Sequence, residues 1–487
     1  MKESSPQSSG IYQRGQALEY IFHPRSIALV GISSDPNSLI GQGFLRGLID
    51  FGYQGDIYPI NPKAKEIGGL RAYPSILDVP GPVDHTISMI PAPMTLKLAE
   101  ECGAKGVKVL HLFTAGFSET GDEEGKRMEA ELLATTRRVG IRLLGPNCMG
   151  IHYARNRITF DQGVDEKARE SGGVSFLSQS GGNAVGLIQR GPFRGVRFNK
   201  VVSYGNALDL DETDILEHFI ADPATELIAA YIEGIKDGPR FRDALMEATR
   251  TKPVIVLKGG RTAAGAGAVS SHTGALAGSD EIWDALLRQA GAVRVYSMDE
   301  LMDMLVAFCN VPLPRGRSAG IIGVGGGASV EAADLCESVG IKVPALPAEI
   351  RKKLREFTPE AGTSVRNPVD TISMFNPPEL GRTLELVAGW EGIDFIIFQQ
   401  ELGISFLHGP GKIVLDMGLD ALIAAAKGLG KPVVLVLRAG GRAQGISILA
   451  ETQERCLRGG LPIFPSIREA ALAMSRYISY HEERDSG

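Results

Sequence analysis

Cysteine is scarce and scattered in this chain. Its 487 residues hold five (102, 148, 309, 336 and 456), and no two form a Cys-x-x-Cys pair. Neither a disulfide framework nor a thiolate metal site follows from such a pattern. The eight histidines have no ligand-like spacing either, so no metal site is expected. No apolar run approaches a membrane-spanning length, and no secretory leader opens the chain. With free thiols, that composition points to a cytoplasmic protein that does not enter the membrane. Basic residues are not in excess: 51 Lys and Arg face 57 Asp and Glu, for a net charge of −6. That balance argues against nucleic acid or a membrane surface as partner. The phosphate loop Gly-x-x-x-x-Gly-Lys-Ser/Thr is missing too, so no nucleotide site of that kind is expected.

Glycine, by contrast, is abundant, with 60 residues placed where apolar runs end and not in low-complexity blocks. Apolar residues make up 44%, ample for a core, and the length suggests two to four domains. Residues 1–15 are polar and read as a disordered tail. From about residue 16 the chain alternates strand and helix. Strands are expected at Ser26–Gly31, Asp56–Asn61, His85–Ile90, Gly106–Phe113 and Ile141–Leu144, with a helix at Gly43–Phe51. Strict alternation predicts a doubly wound parallel sheet of Rossmann-like type over 16–145.

A repeat follows. Ser171–Gly182 and Ser318–Gly327 are each an apolar strand ending in a Gly-rich turn before a helix. Lys252-Pro-Val-Ile-Val-Leu-Lys-Gly-Gly-Arg261 is echoed by Lys431-Pro-Val-Val-Leu-Val-Leu-Arg-Ala-Gly-Gly-Arg442. Two copies of one α/β unit are therefore expected, at 146–311 and 316–478, joined by the Pro-rich segment 312–317. The copies differ in one respect. After Arg261 the first runs through small residues to Ser271-His272-Thr273, whereas the second continues from Arg442 without a histidine. A requirement of the fold alone would be met by the same filler in both, so the difference favours chemistry at His272. The Gly/Ala stretch before it reads as a flexible arm suited to a nucleophile that must reach. The plainer reading is a surface loop with an incidental histidine.

Other candidates sit where strands end. The turn after the first strand holds Gly31, Ser33 and Ser34 at the approach to a helix, where N–H groups attract phosphate. It is not Gly-x-Gly-x-x-Gly, so the dinucleotide fingerprint fails there. Lys63 follows the second strand, where an NAD site would place an acid, and favours a phosphorylated ribose, as in NADP or coenzyme A. A solvated lysine after an ordinary turn is the alternative. Ser178-Gln179-Ser180-Gly181 opens a helix expected at Asn183–Arg190, with hydroxyls and N–H groups suited to a phosphoryl oxygen; helix capping by Ser180 is compatible with that. Glu233 ends an apolar strand, where a carboxylate can hold one imidazole nitrogen and leave the other nucleophilic.

These residues carry a resemblance. Ser270-Ser-His-Thr-Gly-Ala-Leu-Ala-Gly278, Gly145–Gly150, Ser178–Gly181, Tyr231–Gly234 and Asn367–Asp370 resemble the α-subunit type of the ADP-forming (NDP-forming) acyl-CoA synthetases, relatives of the succinyl-CoA synthetase α chain. The resemblance runs from about 16 to 475. It implies a CoA-binding domain and two flavodoxin-like ligase domains. His272 would be the residue phosphorylated, Glu233 its stabilising carboxylate, and Ser178, Gln179, Ser180 and Gly181 the phosphohistidine pocket. The coenzyme A site would draw on Gly31, Ser33, Ser34, Lys63, Pro91 and the Thr114-Ala115-Gly116 turn. The implied reaction joins a carboxylic acid to CoA at the expense of ATP, releasing ADP and phosphate. Three α/β units leave no span of domain size for an ATP site, so the resemblance implies a hetero-oligomer in which an ATP-grasp β subunit holds ATP/ADP and Mg2+. The Ser178–Asn183 run departs slightly from the family's pattern, and the acid is not legible. Two rivals stand at this point: a non-catalytic CoA-binding regulator of the same fold, and an NADP-dependent dehydrogenase.

Overall fold

The structure is a computed structural model that describes residues 17–161, 163, 166–273, 278–323, 325–371, 376–402, 410–439 and 443–486. The chain divides into two compact units, residues 1–192 with 197–298 and residues 193–196 with 299–487.

The first unit holds two sheets. One is fully parallel, in the order Asp56–Ile60, Ser26–Val30, His85–Ser88, Val109–Leu112, Arg142–Leu144. Its strands are apolar runs that face helices on both sides, as such sheets require; Ser26–Val30 and Val109–Leu112 are buried throughout. The strand order reverses beside Ser26–Val30, and sheets of this kind bind ligands at the carboxyl ends of the strands flanking such a reversal, here Ser26–Val30 and His85–Ser88. The helix after the first strand spans Leu39–Phe51, beginning four residues before the expected Gly43.

The second sheet runs Val293–Val295, Val254–Lys258, Leu227–Ile232, Val174–Ser178, Phe198–Ser203, Gly150–Tyr153, with only the last strand antiparallel. The chain enters it across Gly150, whose φ of +91° suits glycine, and a Cβ there would lie 2.2 Å from His111 Cε1. Residues 17–22 pack on this sheet: the Phe22 ring stacks on His218 at 4.8 Å, and Asn156 Nδ2 donates to Phe22 O at 2.7 Å.

The second unit repeats the second sheet's plan. Its order is Ser364–Val365, Val369–Asp370, Ala319–Gly323, Phe395–Glu401, Val433–Arg438, Ile463–Phe464, again with one antiparallel edge strand. The internal repeat read from sequence is thus a repeat of topology. The helix Met298–Asn310, which the sequence reading assigns to the first copy, groups with this unit from Asp299 onward. Its apolar face explains why: Phe308 packs edge-on against Tyr477 and Tyr480 of the helix Ile467–Ser486, and Arg476 pairs with Glu300 at 2.7 Å.

Candidate active site

Three neighbouring parallel strands end side by side in the second sheet. Ser178 is in register with Tyr231, and Ile232 with Lys258. The residues that follow, Gln179, Glu233 and Gly259, therefore emerge along one edge.

Glu233 is buried there at 4% exposure. Tyr231 Oη donates to its Oε1 at 3.1 Å. Its main chain is held from the neighbouring strand, since Gln179 Oε1 accepts from Glu233 N at 2.6 Å and from Gly234 N at 3.1 Å. Gln179 is itself buried, so its side-chain oxygen is committed to holding this turn. The Ser178 hydroxyl also turns inward, donating to Ser180 O at 2.7 Å. Ser180 caps the helix Gly181–Arg190, its Oγ accepting from Asn183 N at 3.3 Å. That helix begins at Gly181, two residues before the expected start, and a Cβ at Gly181 would lie 2.6 Å from Met149 Cγ.

Several groups around Glu233 are not legible in the linear pattern. Lys258 is 2% exposed and donates to Glu233 O at 2.8 Å. Burial pulls its ammonium down to about 8, against the upward pull of the Glu233 carboxylate. Glu212, fully buried, accepts from Lys236 N at 3.0 Å just beyond the Glu233 turn. Burial, with help from the Asp211 charge, pushes its carboxyl up to about 7. The phenol of Tyr204, also fully buried, is pushed well above its usual range by burial and then by Glu212 and Glu233. Glu212 Oε2 and Tyr204 Oη have no hydrogen-bond partner among the described residues. Buried carboxylates perturbed in this way at a strand-end edge make a candidate functional site.

The stretch read as an irregular arm is helical over Ala263–Thr273. Alanine is the strongest helix former, and Thr262 Oγ1 accepts from Gly265 N at 3.1 Å at the start. The backbone of His272 lies in the last turn of this helix; its side chain is outside the described residues, as are residues 274–277. The helix lies against the turn Ser118–Thr120 of the first sheet's domain. Glu119 in that turn accepts from Gly116 N, from Phe117 N at 3.1 Å, and from Asn206 Nδ2 at 2.6 Å. The His272 helix and the Thr114–Gly116 turn thus share a support.

The residues proposed for coenzyme A line the carboxyl edge of the first sheet. Gly31 follows Ser26–Val30 with φ +83°, and a Cβ there would lie 2.7 Å from Ile90 Cγ2. Ser33 Oγ accepts from Asp35 N at 3.1 Å, and Ser34 is exposed. Lys63 is exposed in the turn after Asp56–Ile60, its N–H on Asn61 Oδ1 at 2.9 Å. Pro91 and Ala115 are exposed; Thr114 is buried and donates to Ile90 O at 2.7 Å; Gly116 has φ +106°. Four neighbouring strands therefore bring these residues to one rim. Among the described residues no cluster of His, Cys, Asp or Glu has the makings of a metal site, and no helix is long and apolar enough to cross a membrane.

Comparison with known proteins bears on the two sheets of the first unit and on the chain as a whole. Residues 25–154 match the CoA binding domain family, and residues 171–308 match the succinyl-CoA ligase like flavodoxin domain. The α subunit of acetate–CoA ligase (ADP-forming) II of Pyrococcus furiosus is 35% identical over 460 residues, spanning 94% of this chain and 96% of that one. The 4-hydroxybutyrate–CoA ligase (ADP-forming) of Nitrosopumilus maritimus is 37% identical over 354 residues, 72% of this chain and 50% of its own length. Among solved structures, acetyl-coenzyme A synthetase 1 of Ca. Korarchaeum cryptofilum, in complex with phosphate and ADP, superposes with a TM-score of 0.78. It is 32% identical and the match covers 96% of this chain and 97% of that one. This chain belongs to the ADP-forming acyl-CoA ligases, as a member of their α-subunit type.

Proposed function

We propose that His272 carries the phosphoryl group in this ligase. In that reading an imidazole nitrogen of His272 attacks the γ-phosphorus of ATP and ADP leaves. The phosphoryl group then passes to the carboxylate of the acid, and the thiol of coenzyme A attacks the acyl phosphate, releasing inorganic phosphate. One hard condensation is divided into transfers that each break a phosphate bond or a mixed anhydride. Glu233 would accept a hydrogen bond from the N–H of the other imidazole nitrogen, setting the tautomer. The N–H groups where Gly181–Arg190 begins would face the phosphoryl oxygens. Gly31, Ser33, Ser34, Lys63, Pro91 and Thr114–Gly116 would hold coenzyme A.

The observation that carries this reading is the placing of Glu233. It is a buried carboxylate at the carboxyl edge of the sheet, anchored by Tyr231 and Gln179, and the strand beside it leads into the helix of His272. The ATP site, with its Mg2+, is assigned to a partner β subunit of ATP-grasp type. The designation of the Pyrococcus relative as a subunit α supports a partner, and the phosphate and ADP in the Korarchaeum structure support the use of a nucleotide. The same ligase relatives weigh against the dehydrogenase that Lys63 alone suggests, and the intact His272 segment weighs against a non-catalytic regulator. Acetate and 4-hydroxybutyrate are acids of relatives; the acid of this chain is to be read from a substrate panel.

The test is labelling with the 32P-labelled acyl phosphate of the acid that the panel selects, which runs the second transfer backwards. The wild type should acquire an acid-labile, base-stable phosphate, and His272→Asn should acquire none while still binding coenzyme A. Glu233→Gln should slow labelling about 100-fold, the scale of losing one electrostatic contact to a reacting group. Label persisting in His272→Asn would move the nucleophile elsewhere. With ATP and magnesium alone the single chain should stay unlabelled, and robust labelling would overturn the two-subunit assignment.

A further inference from the structure

Lys258 ends the strand Val254–Lys258 with its ammonium inside the protein, at 2% exposure. A buried ammonium is costly unless its donors are used. Here Nζ donates to Glu233 O at 2.8 Å and to Gly259 O, and it lies 5.5 Å from the centroid of the Trp283 ring. The two carbonyls belong to different strand ends. One is on the residue whose carboxylate faces the site, and the other opens the segment that leads to His272. A single cation therefore ties the two together.

Packing does not demand a lysine at this place. The second ligase unit repeats the strand, and six residues after its Lys431-Pro432 stands Leu437, as Lys258 stands six residues after Lys252. Leu437 is 1% exposed and in register with Gln400, as Lys258 is with Ile232. An alkyl side chain thus fills the position in the second copy, whose strand ends one residue later on the exposed Arg438, whereas the copy that carries a histidine after its strand buries the strand-ending cation.

We propose that Lys258 is a positioning residue for phosphoryl transfer: it holds the root of the His272 segment against the Glu233 turn, and its charge offsets the negative charge that the phosphoryl group brings. The inference rests on His272 as phosphoryl carrier. The charged groups facing Lys258 are Glu233 and Asp280, which favour the ammonium, and Arg294, which opposes it. Tyr231 bonds to Glu233 at 3.1 Å, and Arg261 lies 3.6 Å from Asp280. Burial outweighs these and leaves the ammonium titrating at about 8, so the tie weakens as pH rises through that value.

The experiment is the rate of His272 labelling by the acyl phosphate of the acid that the substrate panel selects, from pH 6 to 10, in the full chain, for the wild type, Lys258→Met and Lys258→Arg. The wild-type rate should fall above pH ~8 as the buried ammonium is lost. Lys258→Met should be slower by about 100-fold, the scale of a small misplacement at a reacting centre, and show no such limb. Lys258→Arg should recover part of the rate and keep it at high pH, because a guanidinium stays charged. A merely structural lysine would change thermal stability without moving the pH profile. A labelled wild type alongside Lys258→Met with the same rate and the same limb would overturn this inference alone. A wild type without label at His272 would overturn the functional reading and this inference with it. Should Lys258→Met not fold, the Arg variant decides, a persisting limb near pH 8 counting against the proposal.

Discussion

Lys63 sits exposed at the rim where the strand Asp56–Ile60 ends, and its ammonium is the group there that would read a phosphorylated ribose. Reversing that charge turns attraction into repulsion without touching the core. Lys63→Glu should therefore weaken coenzyme A binding about tenfold at low ionic strength and by less at physiological salt, where exposed charges are screened within ~8 Å. Titration calorimetry at two salt concentrations reads this directly, and an affinity unchanged at both would remove Lys63 from the site. Glu233 belongs to the opposite regime. It is buried, bonded by Tyr231, and backed by a lysine on its own carbonyl, so its charge acts away from solvent ions and the effect of removing it is insensitive to salt.

Among the elements, the helix Ala263–Thr273 is the one whose stability bears on function. Alanine favours it, but Gly265 and Gly267 each weaken a helix interior by ~1 kcal/mol relative to alanine. A Cβ added at Gly267 meets nothing within 4 Å, so Gly267→Ala is sterically free and should firm the helix by ~1 kcal/mol. If the segment must unwind for His272 to reach ATP on a partner, that gain opposes the motion. Labelling from ATP with the β subunit present should then slow about fivefold, whereas labelling from the acyl phosphate should change less. Equal rates for Gly267→Ala and wild type with ATP would show that the helix stays formed during transfer.

Across the molecule, the parallel sheets bury groups that titrate near neutrality in an unfolded chain. In the first unit His85, His111 and His152 are at most 1% exposed, and burial holds them neutral, lowered to about 3, 4 and 3. Their unfolded counterparts take up protons as pH falls through ~6.5, while the folded ones do not. The unfolded state is therefore the one favoured by acid, and stability is present above pH ~6.5 and lost progressively towards the folded values. At pH 5 each histidine should cost ~2 kcal/mol relative to pH 7, a large share of a typical domain's 5–15 kcal/mol. Urea midpoints at the two pH values measure it. In His85→Gln, whose amide does not titrate, the acid loss should shrink by about one histidine's share.

Local periodicity and turn chemistry lie in the linear order of residues, and they determined a good deal here. The apolar runs ending in glycine predicted the strands of the first sheet to within a few residues. The echo of Lys252–Lys258 in Lys431–Leu437 predicted a repeated unit, found as two sheets of one plan. The placing of Glu233 at a strand's carboxyl end also followed from sequence. What tertiary structure alone decided depends on contacts between distant residues, which no local pattern records. The order of strands sets Gln179 beside Glu233 and Lys258 beneath it. Glu212 and Tyr204 gather near them from a helix start and a strand end that carry no motif in the sequence. The Ala263–Thr273 segment looked irregular because its glycines and small side chains carry no amphipathic signal, yet backbone propensity makes it a helix that lies against Ser118–Thr120. His85 and His111 are 26 positions apart in the chain, and only the pairing of their strands stacks their rings at 5.8 Å.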